Sequence, residues 1–178
     1  MLPATLRTAR LNLRPLVAED ADWIAREIAR PEVHQMLTTP PRPYRKVDAE
    51  VWLGMVDGKD GVYMIVADGP VGIIDVGRGV LERELGYWLR HDAWGRGYMT
   101  EAGRAVVSSW FAVAKGDLVS GHLNGNAGSA GVLTKLGFVY EAAVMRHSGF
   151  WGREVEVQRM RLTKAHWLEH TRAGAQAN

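Results

Sequence analysis

Apolar positions along this chain recur two residues apart in some stretches and three or four apart in others, and each change of period marks a new element. Leu6 to Leu16 alternate in part as a strand, and Asp20 or Asp22 can cap the next helix, which carries Trp23, Ile24 and Ile28 on one side. Pro31, Pro40, Pro41 and Pro43 then interrupt regular structure, leaving a loop-rich stretch with room for one short helix before Val47 to Val56 resumes helical spacing. Gly61 to Ala67 and Val71 to Val76, joined at Asp68-Gly69, predict a hairpin, and Leu85 to Leu89 a further strand. Met99, Ala102, Val106, Trp110 and Val113 stand three or four apart, which predicts a helix laying one apolar stripe on a sheet. Leu118 to Leu123 is strand-like, and Phe138 to Val144 and Glu154 to Leu162 predict two closing strands around Ser148-Gly149-Phe150-Trp151-Gly152. Strands alternating with helices predict one α/β domain over residues 1–170, followed by a polar tail over 171–178.

Composition narrows the chemistry. With 178 residues, 47% of them apolar, the chain can bury a substantial core. Lys plus Arg number 22 against 20 Asp plus Glu, with no long run of one sign, so no nucleic-acid partner is expected. The absence of cysteine excludes disulfides, thiolate nucleophiles and thiolate metal sites together. The six histidines are spread along the chain, and no metal site is expected from them. Arg7 and Arg10 interrupt any apolar leader, and no apolar stretch approaches the roughly 18 residues of a membrane span, so a cytoplasmic protein without a membrane partner is expected.

The strand at Leu85 to Leu89 runs into Asp92-Ala93-Trp94-Gly95-Arg96-Gly97-Tyr98-Met99-Thr100-Glu101-Ala102, a glycine-rich turn that opens a helix. Such a turn suits a diphosphate: glycines let the backbone come close, and the unpaired N–H groups of the first helical turn point at the anion with the positive end of the dipole behind them. A P-loop would need Gly-Lys-Ser/Thr, which is absent, and a dinucleotide fingerprint would need a glycine where Thr100 stands. The turn resembles instead the pyrophosphate loop of the GCN5-related N-acetyltransferases (GNAT), Gln/Arg-x-x-Gly-x-Gly/Ala, with Asp92 in the first place. Gly86-Tyr87-Trp88-Leu89, followed by Trp94-Gly95-x-Gly97-Tyr98-x-Thr100-Glu101-Ala102, is similar to the branch that includes the ribosomal-protein N-terminal (Rim-like) acetyltransferases. A second block about 30 residues on, Asn126-Ala127-Gly128-Ser129 and then Gly137-Phe138, resembles the family's second coenzyme-facing helix. Leu11-Asn12-Leu13-Arg14-Pro15-Leu16 with Glu19-Asp20-Ala21 is similar to its first strand and the entry to helix one.

The resemblance implies a GNAT fold: a mixed, mostly antiparallel central sheet of about seven strands flanked by helices, splayed between strands four and five so that pantetheine inserts like an added strand. It implies acetyl-CoA as co-substrate and direct transfer to a primary amine, either a protein N-terminus or a small-molecule amine, in a ternary complex. A non-catalytic acyl-CoA binding or sensing module of the same fold would keep the coenzyme residues without the catalytic ones. Cofactor contacts are expected from Trp88, Leu89, Trp94, Gly95, Arg96, Gly97, Tyr98, Met99, Thr100, Asn126 and Ser129, with a backbone N–H near Trp88 or Leu89 meeting the thioester carbonyl. Glu84, at the head of the Leu-Gly-Tyr-Trp strand, is the candidate base, with Glu82 the competing carboxylate two residues away on the same face. Where many members place a proton-donating tyrosine, seven residues after the helix asparagine, this chain has Leu133; the resemblance to the Rim-like branch, whose candidate is a serine three residues after that asparagine, implies Ser129 as the acid. His34, Tyr44 and Trp151, in the segments flanking the expected cleft, are candidates for the acceptor pocket. An exposed sheet edge could pair two copies into a homodimer.

Overall fold

The computed structural model describes residues 1–78, 83–114 and 116–176. Eight strands form one sheet: β1 (Leu6–Arg7), β2 (Asn12–Arg14), β3 (Val62–Val66), β4 (Pro70–Arg78), β5 (Arg83–Leu89), β6 (Leu118–Leu123), β7 (Val139–Ser148) and β8 (Arg153–Leu162). Their order is β1-β2-β3-β4-β5-β6-β8-β7, antiparallel between neighbours except for the parallel pair β5–β6. The sheet exceeds the expected seven strands by the two-residue β1. Thr8 splits the strand expected over Leu6 to Leu16 by turning the chain: its N–H donates to Leu11 O at 2.9 Å and its hydroxyl accepts from Leu11 N–H at 3.0 Å. Counted this way, the splayed pair is the fifth and sixth strands.

Helices cover both faces: α1 (Ala21–Ile28), α2 (Pro31–His34), α3 (Lys46–Val56), α4 (Tyr98–Val113), α5 (Ala127–Lys135) and α6 (Lys164–Gln176). Asp20 fixes the entry to α1, because its carboxylate accepts from Arg14 at 2.7 and 2.8 Å and from Val17 N–H at 2.9 Å. The helix α6 takes in most of the polar stretch that begins at Thr171, anchored by Trp167, which packs at 6.4 Å from Phe111. In α4 the buried stripe is Met99, Ala102, Gly103, Val106, Val107 and Phe111, whereas of the residues expected inward Trp110 is only partly buried and Val113, the last of the helix, is exposed.

Strand alternation divides the apolar residues between two cores. Tyr63 and Ile65 of β3, Ile74 and Val76 of β4 and Leu85 of β5 pack with Met99, Val106, Phe111, Leu133 and Leu136 under α4 and α5. Met64 and Ile73 face the other way, against Ile24 and Ile28 of α1 and Ala49 of α3, with Trp88 stacked on Trp23 at 5.4 Å. The functional cleft lies where these two faces meet at the open end of β5. No helix of the described residues is long and apolar enough to cross a membrane.

Candidate active site

The sheet comes apart between β5 and β6, which among the described residues pair only at Arg83↔Leu118 and Glu84↔Val119. Alternation shows which β5 groups this frees. Arg90 N–H donates to Val71 O at 2.9 Å, and the register runs Ile73↔Trp88 and Asp75↔Gly86, so β4 takes the backbone groups of the even-numbered β5 residues. Those of Leu85, Tyr87 and Leu89 face β6. Ser120 Oγ donates to Leu85 O at 2.8 Å and Trp94 Nε1 to Leu89 O at 2.9 Å, which leaves the N–H groups of Tyr87 and Leu89 directed into the opening. Of the two thioester donors expected from sequence, the ladder therefore commits the Trp88 N–H to β4 and leaves that of Leu89. The Trp88 side chain lines the cleft on the α1 face.

Beyond β5 the glycine turn leads into α4. Gly95 and Gly97 adopt φ of +74° and +76°, a left-handed conformation that only glycine takes without strain. A Cβ on Gly95 would meet nothing within 4 Å and one on Gly97 only Arg10 Nη2 at 3.4 Å, so the backbone there is open to a ligand. Glu101 N–H is the first in α4 to find an intrahelical acceptor, Gly97 O at 3.1 Å, leaving the N–H groups of Tyr98, Met99 and Thr100 for an anion. Glu101 itself braces the turn: it accepts from Thr8 Oγ1 at 2.6 Å and from Arg10 Nε at 2.7 Å, while Arg10 Nη1 donates to Arg96 O at 2.9 Å. Gly95, Gly97, Tyr98, Met99 and Thr100 line the cleft; Arg96 is exposed and contributes its carbonyl to the brace instead.

On the opposite wall Asn126 caps α5, its Oδ1 accepting from Ser129 N–H at 3.0 Å. Ser129 Oγ lies 2.7 Å from the Tyr87 hydroxyl, so β5 and α5 bring two hydroxyls together beside the opening. Burial pushes the Tyr87 phenol well above its ordinary value, and the Ser129 bond only partly offsets this, so the phenol holds its proton. Sequence reading overlooked Tyr87, whose place in the Gly-Tyr-Trp-Leu motif did not reveal its partner across the gap.

Part of the cleft floor is acidic. Glu84 lines it, with Oε1 and Oε2 at 3.2 and 3.4 Å from the Arg146 guanidinium of β7. Glu82 lies outside the described residues. A second carboxylate, missed in the sequence, is Asp75 of β4, directly across from Gly86. Burial raises its carboxyl to about 7; a hydrogen bond from Gly77 N–H opposes the rise and the Glu84 charge adds to it. The signal was there in Ile73-Ile74-Asp75-Val76, a carboxylate set within an apolar run.

Tyr44, expected in the acceptor pocket, joins Met36, Leu37, Val51, Trp52 and Met55 on an apolar wall of the cleft. His34 and Trp151 do not reach it. His34 is buried behind the wall, Nε2 at 3.2 Å from Pro40 O and its ring 5.2 Å from Phe150, while Trp151 packs on Phe150 at 4.9 Å and is half exposed. Their turn backs the cleft rather than lining it, since Gly149 N–H holds Thr38 O at 2.9 Å and residues 38–41 form the wall. His166 and His170 stand one turn apart on α6, but among the described residues no three His, Asp or Glu groups converge as metal ligands. The whole cleft has a volume of about 1120 Å³, ample for a large co-substrate and an acceptor together.

The sequence matches the family model described as acetyltransferase (GNAT) domain over residues 10–139, which takes in β2 through α5, the glycine turn and both hydroxyls. No curated protein matches the chain. Solved structures of the same fold include a GNAT-family acetyltransferase from Bacillus anthracis, with TM-score 0.78 and 15% identity over 90% of this chain and 99% of that one. Ribosomal-protein-S5-alanine acetyltransferase from Vibrio fischeri aligns with TM-score 0.72 and 18% identity over 93% and 99%. Mycobacterium smegmatis RimJ in complex with CoA-disulfide aligns with TM-score 0.70 and 21% identity over 92% and 89%. With the family matched across the splayed strands and the phosphate turn alike, the chain belongs to the GNAT acetyltransferases and is an acetyl-CoA-dependent acyltransferase.

Proposed function

We propose that the chain transfers the acetyl group of acetyl-CoA directly to a primary amine, within a ternary complex. The observation that carries this reading is the joining, in one cleft, of an open β5 edge and anion turn with an acidic floor made by Asp75 and Glu84. The first pair suits an acyl thioester on a diphosphate carrier; the second suits a cation that must lose a proton before it can attack. Trp94, Gly95, Gly97, Tyr98, Met99, Thr100 and Asn126 would hold the coenzyme, and the Leu89 N–H would face the thioester oxygen as negative charge develops there. The Tyr87–Ser129 pair would supply a proton to the departing sulfur. Tyr87→Phe and Ser129→Ala should each lower kcat about tenfold, and the double variant little more, because one hydrogen-bonded unit is lost in each case. Steady-state rates of the three variants check this.

The acceptor wall of Met36, Leu37, Val51, Trp52 and Met55 is apolar, and the anionic floor is small. That suits one amine beside an apolar body, as in a peptide N-terminus or a small apolar amine, better than a polycation. The likeness of the glycine turn to the Rim-like branch supports the peptide N-terminus. Assays against short peptides with apolar first residues, phenethylamine, single amino acids, spermidine and an aminoglycoside test this. The largest kcat/KM should fall on the peptides or phenethylamine. Amine-dependent release of coenzyme A from none of them would overturn the amine reading, and a preference for spermidine or the aminoglycoside would overturn the single-amine acceptor.

A further inference from the structure

Two carboxylates share the acceptor floor, and their surroundings differ. Ile73, Asp75 and Gly77 of β4 face the same side as Glu84, Gly86 and Trp88 of β5, because those residues are cross-strand partners. Gly86 and Gly77 carry no side chain, so the Asp75 carboxylate lies over bare backbone, its Oδ2 3.1 Å from where a Cβ of Gly86 would stand. Its partner Gly86 lies midway between Glu84 and Trp88 on β5, the strand whose outward N–H groups at Tyr87 and Leu89 face the opening between β5 and β6. Glu84 turns both oxygens to Arg146, a group that stays charged and exchanges no proton near neutrality. Asp75 accepts one backbone N–H, from Gly77, and makes no ion pair among the described residues, which leaves lone pairs for a ligand in the cleft.

Resting on the amine acceptor proposed above, we infer that Asp75 takes the proton from the acceptor amine, while Glu84, fixed by Arg146, is a positioning residue whose charge acts on Asp75. The acceptor enters as its ammonium form and gives one proton to the Asp75 carboxylate. The freed nitrogen lone pair then bonds the thioester carbonyl carbon. As the carbon–sulfur bond breaks, nitrogen loses a second proton and sulfur gains one, giving the amide and the thiol of coenzyme A. The proton on Asp75 leaves to solvent, restoring the carboxylate. A carboxyl raised to about 7 suits this task, since a base that titrates near the working pH combines a useful ionised fraction with a useful proton affinity. The charged and titratable groups that line the same cleft are Glu84 and Tyr87 on β5, Arg146 on β7, Tyr44, Asp48 on α3, Tyr98 on α4, His122 on β6 and Lys135 on α5.

The test uses the full chain and the amine turned over fastest in the acceptor panel. Asp75→Asn should lower kcat/KM by about 10²–10³-fold and remove the acidic limb near pH 7, with coenzyme A affinity unchanged by calorimetry. Glu84→Gln should keep activity within about tenfold of the wild type and move the limb to lower pH, because one negative neighbour of Asp75 is gone. Carboxyl ¹³C NMR of the free protein supplies a readout that needs no acceptor: a titration step near neutrality, absent in Asp75→Asn and lowered in Glu84→Gln. Wild-type rates in Asp75→Asn, loss of the limb in Glu84→Gln, or no carboxyl titrating above pH 5 would each overturn the assignment. A wild type that acetylates no amine while the NMR step is present would overturn the amine reading instead.

Discussion

Gly97→Val should weaken coenzyme A binding by about 30- to 100-fold while the protein stays folded. The expectation begins with backbone: Gly97 sits at φ +76° as the residue that caps α4, and a β-branched side chain there costs about 1–2 kcal/mol of strain. The chain can relieve that strain only by turning the Gly97–Tyr98 peptide, which re-aims the N–H groups of Tyr98, Met99 and Thr100. Those donors would meet a diphosphate, where each charge-assisted bond contributes roughly 1.5–3 kcal/mol, so losing the alignment of one or two exceeds the strain itself. The new Cβ itself meets only Arg10 Nη2, at 3.4 Å, so the effect comes from the backbone conformation rather than from a steric block on that side. Calorimetric titration with coenzyme A measures the effect, with a thermal melt to confirm the fold. Arg172→Ala, an exposed position on α6, should bind within about twofold of the wild type. Equal affinity in Gly97→Val and the wild type would remove the phosphate turn from the site.

That turn was the most legible part of the chain, for a physical reason. A left-handed turn that opens a helix favours glycine at fixed offsets, and those offsets appear in the sequence as Gly95 and Gly97. The helical period of α4 was equally readable because one face is buried, whereas β3 and β4, buried on both faces, showed as short apolar runs bounded by turn residues. The acceptor side was harder to read. It is assembled from β4, β5, β7 and the segment after α2, so Asp75 and Glu84 come together across 9 residues of sequence and Glu84 and Arg146 across 62. His34 and Trp151 lie in the expected segments, yet packing turns them onto Phe150 and the backbone of the loop they support. Tyr87 and Ser129 show the same limit: each motif was visible alone, and the 2.7 Å contact that joins them depends on how far β6 swings from β5.

Asp75→Asn, the substitution expected to be most damaging to turnover, should make the protein more stable at pH 8, by about 2 kcal/mol. The wild-type carboxyl titrates near 7 in the folded protein against an ordinary value of 3.8, chiefly because burial disfavours the charge. Between about pH 4 and 7 the unfolded chain has released this proton while the folded one retains it. The unfolded state then binds fewer protons, so stability falls as pH rises through that window and levels off above it. A rise of three units corresponds to about 4 kcal/mol at most, and water reaching Asp75 through the cleft reduces the cost to roughly half of that. Asparagine has the same shape, can accept the Gly77 N–H through Oδ1, and bears no charge to desolvate. Its unfolding midpoint at pH 8 should therefore lie about 4–8 °C above the wild type, with most of the gain gone by pH 4.5, where the wild-type side chain is itself neutral. Paired thermal melts at the two pH values decide the matter. A gain of equal size at both would point to packing rather than charge, and no gain at pH 8 would show that the carboxylate is solvated after all. The expected pattern, greater stability with lost turnover in one isosteric change, is that of a group kept in an unfavourable place for its chemistry.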